Sequence, residues 1–148
     1  MHVLLFVSIF TQHVWFYFLL FWYLYDRFGF EFLQKESELE IWKMRADGEY
    51  VHFKTYPMCR WSGQLGPKTR EGDRQVPEGF YTITPGQMNP NSAYYLSFNV
   101  GYPNALERSL GFSGGDIMVH GTCSSRGCYA MTNEQIEEIY AVVREAFQ

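Results

Sequence analysis

The chain has 148 residues, enough for one domain with a hydrophobic core and short of what two ordinary domains need. At 47% hydrophobic and 19% charged it has the balance of a folded body, neither disordered nor fibrous. Its net charge of −4 excludes the basic surplus of a nucleic-acid binder, so no nucleic-acid partner is expected.

Aromatic residues make up 19% of the chain and crowd its beginning. No Asp, Glu, Lys or Arg occurs from Met1 to Tyr25, and Val3–Tyr25 is 23 residues long. As a helix that stretch would cross a hydrocarbon layer of about 30 Å. Residues 1–25 are therefore set apart as an apolar aromatic segment, with residues 3–25 as a possible membrane anchor. Two other readings stay open: an apolar strand or helix packed on the domain, or upstream sequence read as protein. Ser8, Thr11, Gln12 and His13 interrupt the run, and no basic start or small-residue cleavage site marks a signal peptide. Arg27, Lys35, Lys43 and Arg45 follow the stretch, a charge bias that would keep the domain in the cytoplasm.

Residues 26–148 form the domain proper, and here short periodic runs are punctuated by Gly and Pro. Glu40–Arg45 and Tyr50–Tyr56 flank Asp47-Gly48, a hairpin signal because both turn residues tolerate positive φ. Further strands are expected at Gly79–Thr84, Tyr94–Gly101 and Asp116–His120. In the second, Leu96, Phe98 and Val100 alternate with Ser97 and Asn99, the period of a half-buried strand. The loop Gly63–Pro77 mixes Gly, Pro and charge and belongs at the surface. One helix closes the chain. Thr132 and Gln135 make a capping box, and Ile136, Ile139, Tyr140, Val143 and Phe147 form its apolar face. The expected fold is mainly β with this single C-terminal α-helix.

Chemistry concentrates between Asp116 and Met131. A buried strand delivers His120 at its end, and Cys128 follows Gly127 shortly before the capped helix. A Cys beside a neutral imidazole can lose its proton near pH 7, and the thiolate is the competent nucleophile. Gly127 would let a substrate carbonyl approach the N–H groups of Gly127 and Cys128, which would hold an oxyanion. The plainer reading is a satisfied polar His and an inert buried Cys. A rival is a zinc site made by His120, Cys123, Cys128 and Cys59, although no C-x-x-C pair is present. Gly111–Gly115 lacks the Gly-Lys-Ser/Thr ending of a phosphate loop.

At these residues the sequence resembles the L,D-transpeptidase catalytic (YkuD) domain family. Its signature is a His-Gly at a strand end followed by Ser-x-Gly-Cys, here His120-Gly121 and Ser125-Arg126-Gly127-Cys128. Pro77-Glu78-Gly79-Phe80-Tyr81 looks like the family's strand entry. Trp61–Lys68, Glu71–Arg74, Gly101–Ala105 and Gly127–Met131 look like its YafK-like branch. The resemblance covers about Phe30 to Phe147. It departs from the wider family at Arg126, where a His is common, and at Ala130, where a polar residue is common.

The resemblance implies a β-sandwich of mixed sheets and a periplasmic cell-envelope location, which conflicts with the charge bias above. It implies that Cys128 attacks the carbonyl joining diaminopimelate to D-Ala in a peptidoglycan stem, or to the lysine of a murein-bound lipoprotein. His120 would serve as base and then acid, oriented by the main-chain carbonyl of Gly121. The thioester would pass to an amine or to water, with no cofactor and no metal. Arg126, Ser125, Tyr102, Asn104 and Arg108 are candidates for binding stem carboxylates, with a solvated loop arginine the simpler reading of Arg126. A non-catalytic peptidoglycan-binding module and a zinc-stapled module remain as alternatives. With Cys128 kept free, Cys59 and Cys123 are left as disulfide candidates, or as two reduced thiols packed near one another.

Overall fold

A computed structural model describes residues 3–7, 28–33 and 36–148, with side chains from residue 36 onward. Nine strands and two α-helices occur among them: β1 Val3–Val7, β2 Phe28–Leu33, β3 Glu38–Met44, β4 Tyr50–Pro57, β5 Phe80–Ile83, β6 Met88–Ser92, β7 Tyr95–Asn99, α1 Ala105–Ser109, β8 Met118–His120, β9 Tyr129–Ala130 and α2 Asn133–Glu145. They form a five-stranded sheet in the order β4-β3-β2-β1-β5 and a four-stranded sheet in the order β6-β7-β8-β9. Both sheets are mixed. β1 runs parallel to β2 and antiparallel to β5, and β8 runs parallel to β9.

Alternation builds the first sheet. In β3, Leu39 and Ile41 are fully buried while Glu38, Glu40 and Trp42 are only partly covered. In β5, Tyr81 and Ile83 turn inward and Phe80 and Thr82 outward. The β3–β4 hairpin closes where Asp47-Gly48 predicts it, through Gly48 N–H to the Arg45 carbonyl at 3.0 Å. Only Gly48 takes a positive φ, +86°, and the connection is longer than a two-residue turn.

Val3–Val7 is a strand. Its backbone groups pair with β2 on one side and β5 on the other, so a helix beginning at Val3 is corrected for these five residues. The rest of the proposed anchor, 8–25, lies outside the described residues. Among those described, no helix is long and apolar enough to cross a membrane.

The second sheet carries the site. β7 pairs antiparallel with β8, setting Ser97 opposite His120 and Phe98 opposite Val119. Phe98, Val100, Val119, Tyr129 and Met131 are fully buried, and α2 packs against β7. Thr132 accepts the Gln135 N–H at 3.2 Å, and the Gln135 side chain accepts the Thr132 N–H at 2.9 Å. Ile136, Ile139 and Val143 are fully buried beneath that capped start, with Tyr140 and Phe147 half-buried beside them.

Three elements depart from the sequence reading. β6 contains Pro90, which an edge strand tolerates because one side of its ladder is unpaired. β9 is two residues long. α1 begins with a second capping box, Asn104 with Glu107, and keeps Leu106 and Leu110 exposed, so it has no apolar face for periodicity to show.

A disulfide joins Cys59 to Cys123, their Cα atoms 5.2 Å apart and 64 positions apart in sequence. Two of the four proposed zinc ligands are thereby consumed, which rules out that constellation. Closing a loop of this length stabilises by roughly 4 kcal/mol in the chain-entropy account. The Cys59→Ser/Cys123→Ser double variant should therefore unfold at clearly lower urea than the parent. An unchanged midpoint would show that the bridge adds nothing.

Candidate active site

Parallel strands are ordinarily joined by about a dozen or more residues. Here the eight residues 121–128 carry the chain from the end of β8 to the start of β9. So short a return forces unusual backbone. Thr122 and Cys123 sit at φ 69° and 50°, and Gly127 at 108°. A β-branched residue in that region is a true outlier, of order 1 kcal/mol or more in strain, so neighbouring groups must hold it.

Those groups are identifiable. Asn133 Oδ1 accepts the Thr122 N–H at 2.9 Å, and Cys123 is tied to Cys59. Arg60 and Ala130 exchange backbone bonds, Ala130 N–H to Arg60 at 2.8 Å and Arg60 N–H to Ala130 at 3.2 Å. Gly121 is packed so closely that a Cβ would meet Asn133 Oδ1 at 2.7 Å and Ile136 at 3.0 Å. At Gly127 a Cβ would find room, its nearest neighbour 3.8 Å away. The glycine there is required by its φ, and no protein atom crowds the space in front of it.

The register Val119–Tyr129 and His120–Ala130 brings Cys128 level with Met118, two positions back along the sheet from His120. Strand spacing then puts the Cα atoms of Cys128 and His120 about 8 Å apart, a gap two side chains can close. His120 is 3% exposed, and its Nδ1 lies 2.6 Å from the Gly121 carbonyl. Since a carbonyl only accepts, Nδ1 carries the proton and Nε2 is left as the acceptor. The Tyr94 ring lies 4.6 Å from the imidazole, and the Tyr94 carbonyl accepts the Gly121 N–H at 3.1 Å.

Cys128 is the one free cysteine and is partly buried. Its thiol donates to the Asp116 carbonyl at 3.8 Å and accepts the Met118 N–H at 3.5 Å. Burial pushes the thiol up from its ordinary pKa, helped by the Asp116 carboxylate and opposed by the Met118 N–H and the Lys68 ammonium. Burial pushes His120 down, against the pull of the Gly121 carbonyl. The pair therefore rests as thiol and neutral imidazole. Lys68 is itself 4% exposed, bonded to Asp73 at 2.5 Å and to the Arg70 carbonyl at 3.0 Å.

Of the other residues read from the sequence, three lie away from the pair and two on the loop beside it. Tyr102 is 5% exposed and spends its hydroxyl on the Lys68 carbonyl at 3.0 Å, so it is a core residue and not a groove wall. Asn104 caps α1, accepting the Glu107 N–H at 2.9 Å and donating to the Phe80 carbonyl at 3.3 Å. Arg108 is exposed and donates to the Pro103 carbonyl of its own segment. Ser125 is turned to the main chain of Cys128, accepting its N–H at 3.1 Å and donating to its carbonyl at 2.5 Å. The Gly127 N–H is held by Ser62 Oγ at 2.9 Å, so both N–H groups expected for an oxyanion have hydroxyl partners here. Arg126 is exposed. Ser62, Asn133, Tyr94 and Lys68 were not singled out from sequence: Ser62 and Lys68 lie in a family-like stretch far along the chain, Tyr94 opens an expected strand, and Asn133 begins the expected helix.

The mixed sheets, the His-Gly strand end and the Gly-Cys loop define a domain of the L,D-transpeptidase type. The chain belongs to this family: residues 38–147 match the model of the L,D-transpeptidase catalytic domain, YkuD. It is 42% identical over 116 residues to the Escherichia coli (strain K12) protein "Putative L,D-transpeptidase YafK", an alignment covering 78% of this chain and 47% of that protein. The fold resembles the helical cell shape determining protein Pgp2 from Campylobacter jejuni, with TM-score 0.65 and 23% identity over 98% of this chain and 45% of Pgp2. Bd1075 of Bdellovibrio bacteriovorus is more distant, at TM-score 0.53 and 19% identity, over 84% of this chain and 44% of that one. The chain thus spans less than half the length of each relative.

The ionisation order sets a pH test. His120 must be unprotonated to accept a proton, and its lowered pKa keeps it so to lower pH. Turnover should be lost on acidification only below about 6.5, the ordinary imidazole value. Iodoacetamide labelling of Cys128 should rise along one ionisation above the ordinary thiol range. Labelling already complete at pH 6 would mean a preformed thiolate–imidazolium pair instead.

Proposed function

We propose that this chain is a cysteine acyl-transfer enzyme acting on peptidoglycan stem peptides at the diaminopimelate carbonyl. The observation that carries the reading is the His120 tautomer: Nδ1–H is committed to Gly121, leaving Nε2 to serve a thiol delivered by the neighbouring strand. Family membership supports the reaction class.

The thiol leaves the Asp116 carbonyl and turns to His120, which takes its proton as sulfur attacks the carbonyl carbon. The C–N bond to D-Ala breaks, and His120 returns the proton to the leaving amine. The resulting thioester is opened by an acceptor amine, giving transfer, or by water, giving hydrolysis. A lipoprotein lysine joined to the same carbonyl would be released by the same steps. The disulfide supports residence in the cell envelope, since such bonds persist outside the reducing cytoplasm.

Purified muropeptides incubated with and without an amine acceptor, and read by mass spectrometry, test the assignment. Cys128→Ala should abolish product while leaving the fold intact, and His120→Ala should lose several orders of magnitude. Product formation by Cys128→Ala would refute the nucleophile. A second expectation concerns the stem carboxylates. Arg126 is exposed on the catalytic loop, and a guanidinium fork pairs bidentately with a carboxylate where an ammonium does not. Arg126→Lys should raise KM several-fold with kcat little changed; an unchanged KM at low and high salt would remove Arg126 from substrate binding.

A further inference from the structure

Three residues of one short segment hold the return loop and the strand that follows it. Cys59 bonds covalently to Cys123, Arg60 pairs with Ala130, and Ser62 reaches Gly127 and Ser125. The third lies nearest the nucleophile, and its hydrogen-bond directions follow from counting protons. Ser125 has one hydroxyl proton, which it gives to the Cys128 carbonyl at 2.5 Å, while its oxygen accepts the Cys128 N–H at 3.1 Å. In the 2.8 Å contact between the two hydroxyls, Ser62 must therefore be the donor. Its oxygen then accepts the Gly127 N–H at 2.9 Å. Ser62 is in turn fixed by its own carbonyl, which accepts the Val76 N–H at 3.1 Å.

We propose that Ser62 is a positioning residue for Cys128, holding the left-handed Gly127 turn and the Ser125 hydroxyl so that the thiol is presented at the end of the loop. The inference rests on Cys128 being the nucleophile. The Gly127 backbone adopts a conformation that nothing in its own side chain enforces, and the Ser62 oxygen is the acceptor that closes it. Removing the hydroxyl orphans the Gly127 N–H and takes one bond from Ser125, leaving Cys128 on a looser turn. The Ser62 hydroxyl contacts Gly127 and Ser125 of the loop, so a positioning role puts the loss on the chemical step and not on substrate affinity. The opposite role would be a plug, in which the two hydroxyls occupy N–H groups that an oxyanion needs. That role predicts a gain when Ser62 is shortened.

The test uses the full chain with its disulfide intact, measuring kcat and KM on muropeptides for Ser62→Ala, Ser62→Thr and Cys128→Ala. Ser62→Ala should lower kcat by about tenfold or more, the scale of one or two lost hydrogen bonds, with KM within about twofold. Ser62→Thr, which keeps the hydroxyl, should recover most of kcat. In the unsubstituted protein the Gly127 amide should be protected from hydrogen exchange, a reading that holds even if Ser62→Ala fails to fold. An unprotected Gly127 amide, or a Ser62→Ala enzyme as fast as or faster than the parent, would overturn the inference while an inactive Cys128→Ala left the nucleophile standing. Turnover by Cys128→Ala would overturn both.

Discussion

The site depends on one backbone pairing, the parallel contact of β9 with β8. It lasts only two residues, yet its register sets His120 opposite Ala130 and brings Cys128 level with Met118. A slip of one residue would carry Cys128 to the other face of the sheet. So short a ladder cannot hold itself. The fold supplies the missing constraint from outside, through the Arg60–Ala130 bridge, the Cys59–Cys123 bond and the capped start of α2, whose Asn133 grips Thr122. Two of these come from the 59–60 segment and the third from the start of α2, and together they fix a strained eight-residue return in one conformation.

The electrostatics follow from that burial. Enclosing His120 between Tyr94 and the sheet disfavours its cation, and enclosing Cys128 disfavours its anion. In the proposed mechanism, charge separation would thereby be deferred to the moment of attack, when the carbonyl carbon accepts the sulfur electron pair. The Met118 N–H and, less strongly, the Lys68 ammonium oppose the rise at Cys128, and Lys68 is shared with Asp73, whose carboxyl is held down at about 2. Burial alone would raise that carboxyl; the ammonium and the N–H groups of Gln75, Arg70 and Thr69 outweigh it. Stability drawn from this pair is present above the ordinary carboxylate range and fades as pH falls toward 2.

What could be read from sequence was local. The Asp47-Gly48 hairpin, the alternation through Phe98 and Val100 and the Thr132–Gln135 cap are settled by neighbours a few residues apart, and the structure shows each of them. The family signature likewise put His120 and Cys128 in one short stretch. Tyr102, Asn104 and Arg108 were read as site residues because they lie in a family-like segment. Tertiary packing gives Tyr102 to the core and Asn104 to a helix cap instead. Ser62 also lies in a family-like stretch, Trp61–Lys68, but its partner is 63 positions away, and nothing local tells a loop serine that holds a turn from one that faces water. The disulfide stood between these cases: cysteine arithmetic offered the pair, and only the fold could supply the distance.

The central claim is that Cys128 carries the acyl group. The most direct measurement is the intact mass of the protein, acid-quenched within milliseconds of mixing with a tetrapeptide muropeptide and followed by peptide mapping. The account predicts a mass gain equal to the whole muropeptide less one released D-alanine, localised to the peptide containing Cys128. Rapid product formation with no adduct, or an adduct on any other residue, would contradict it.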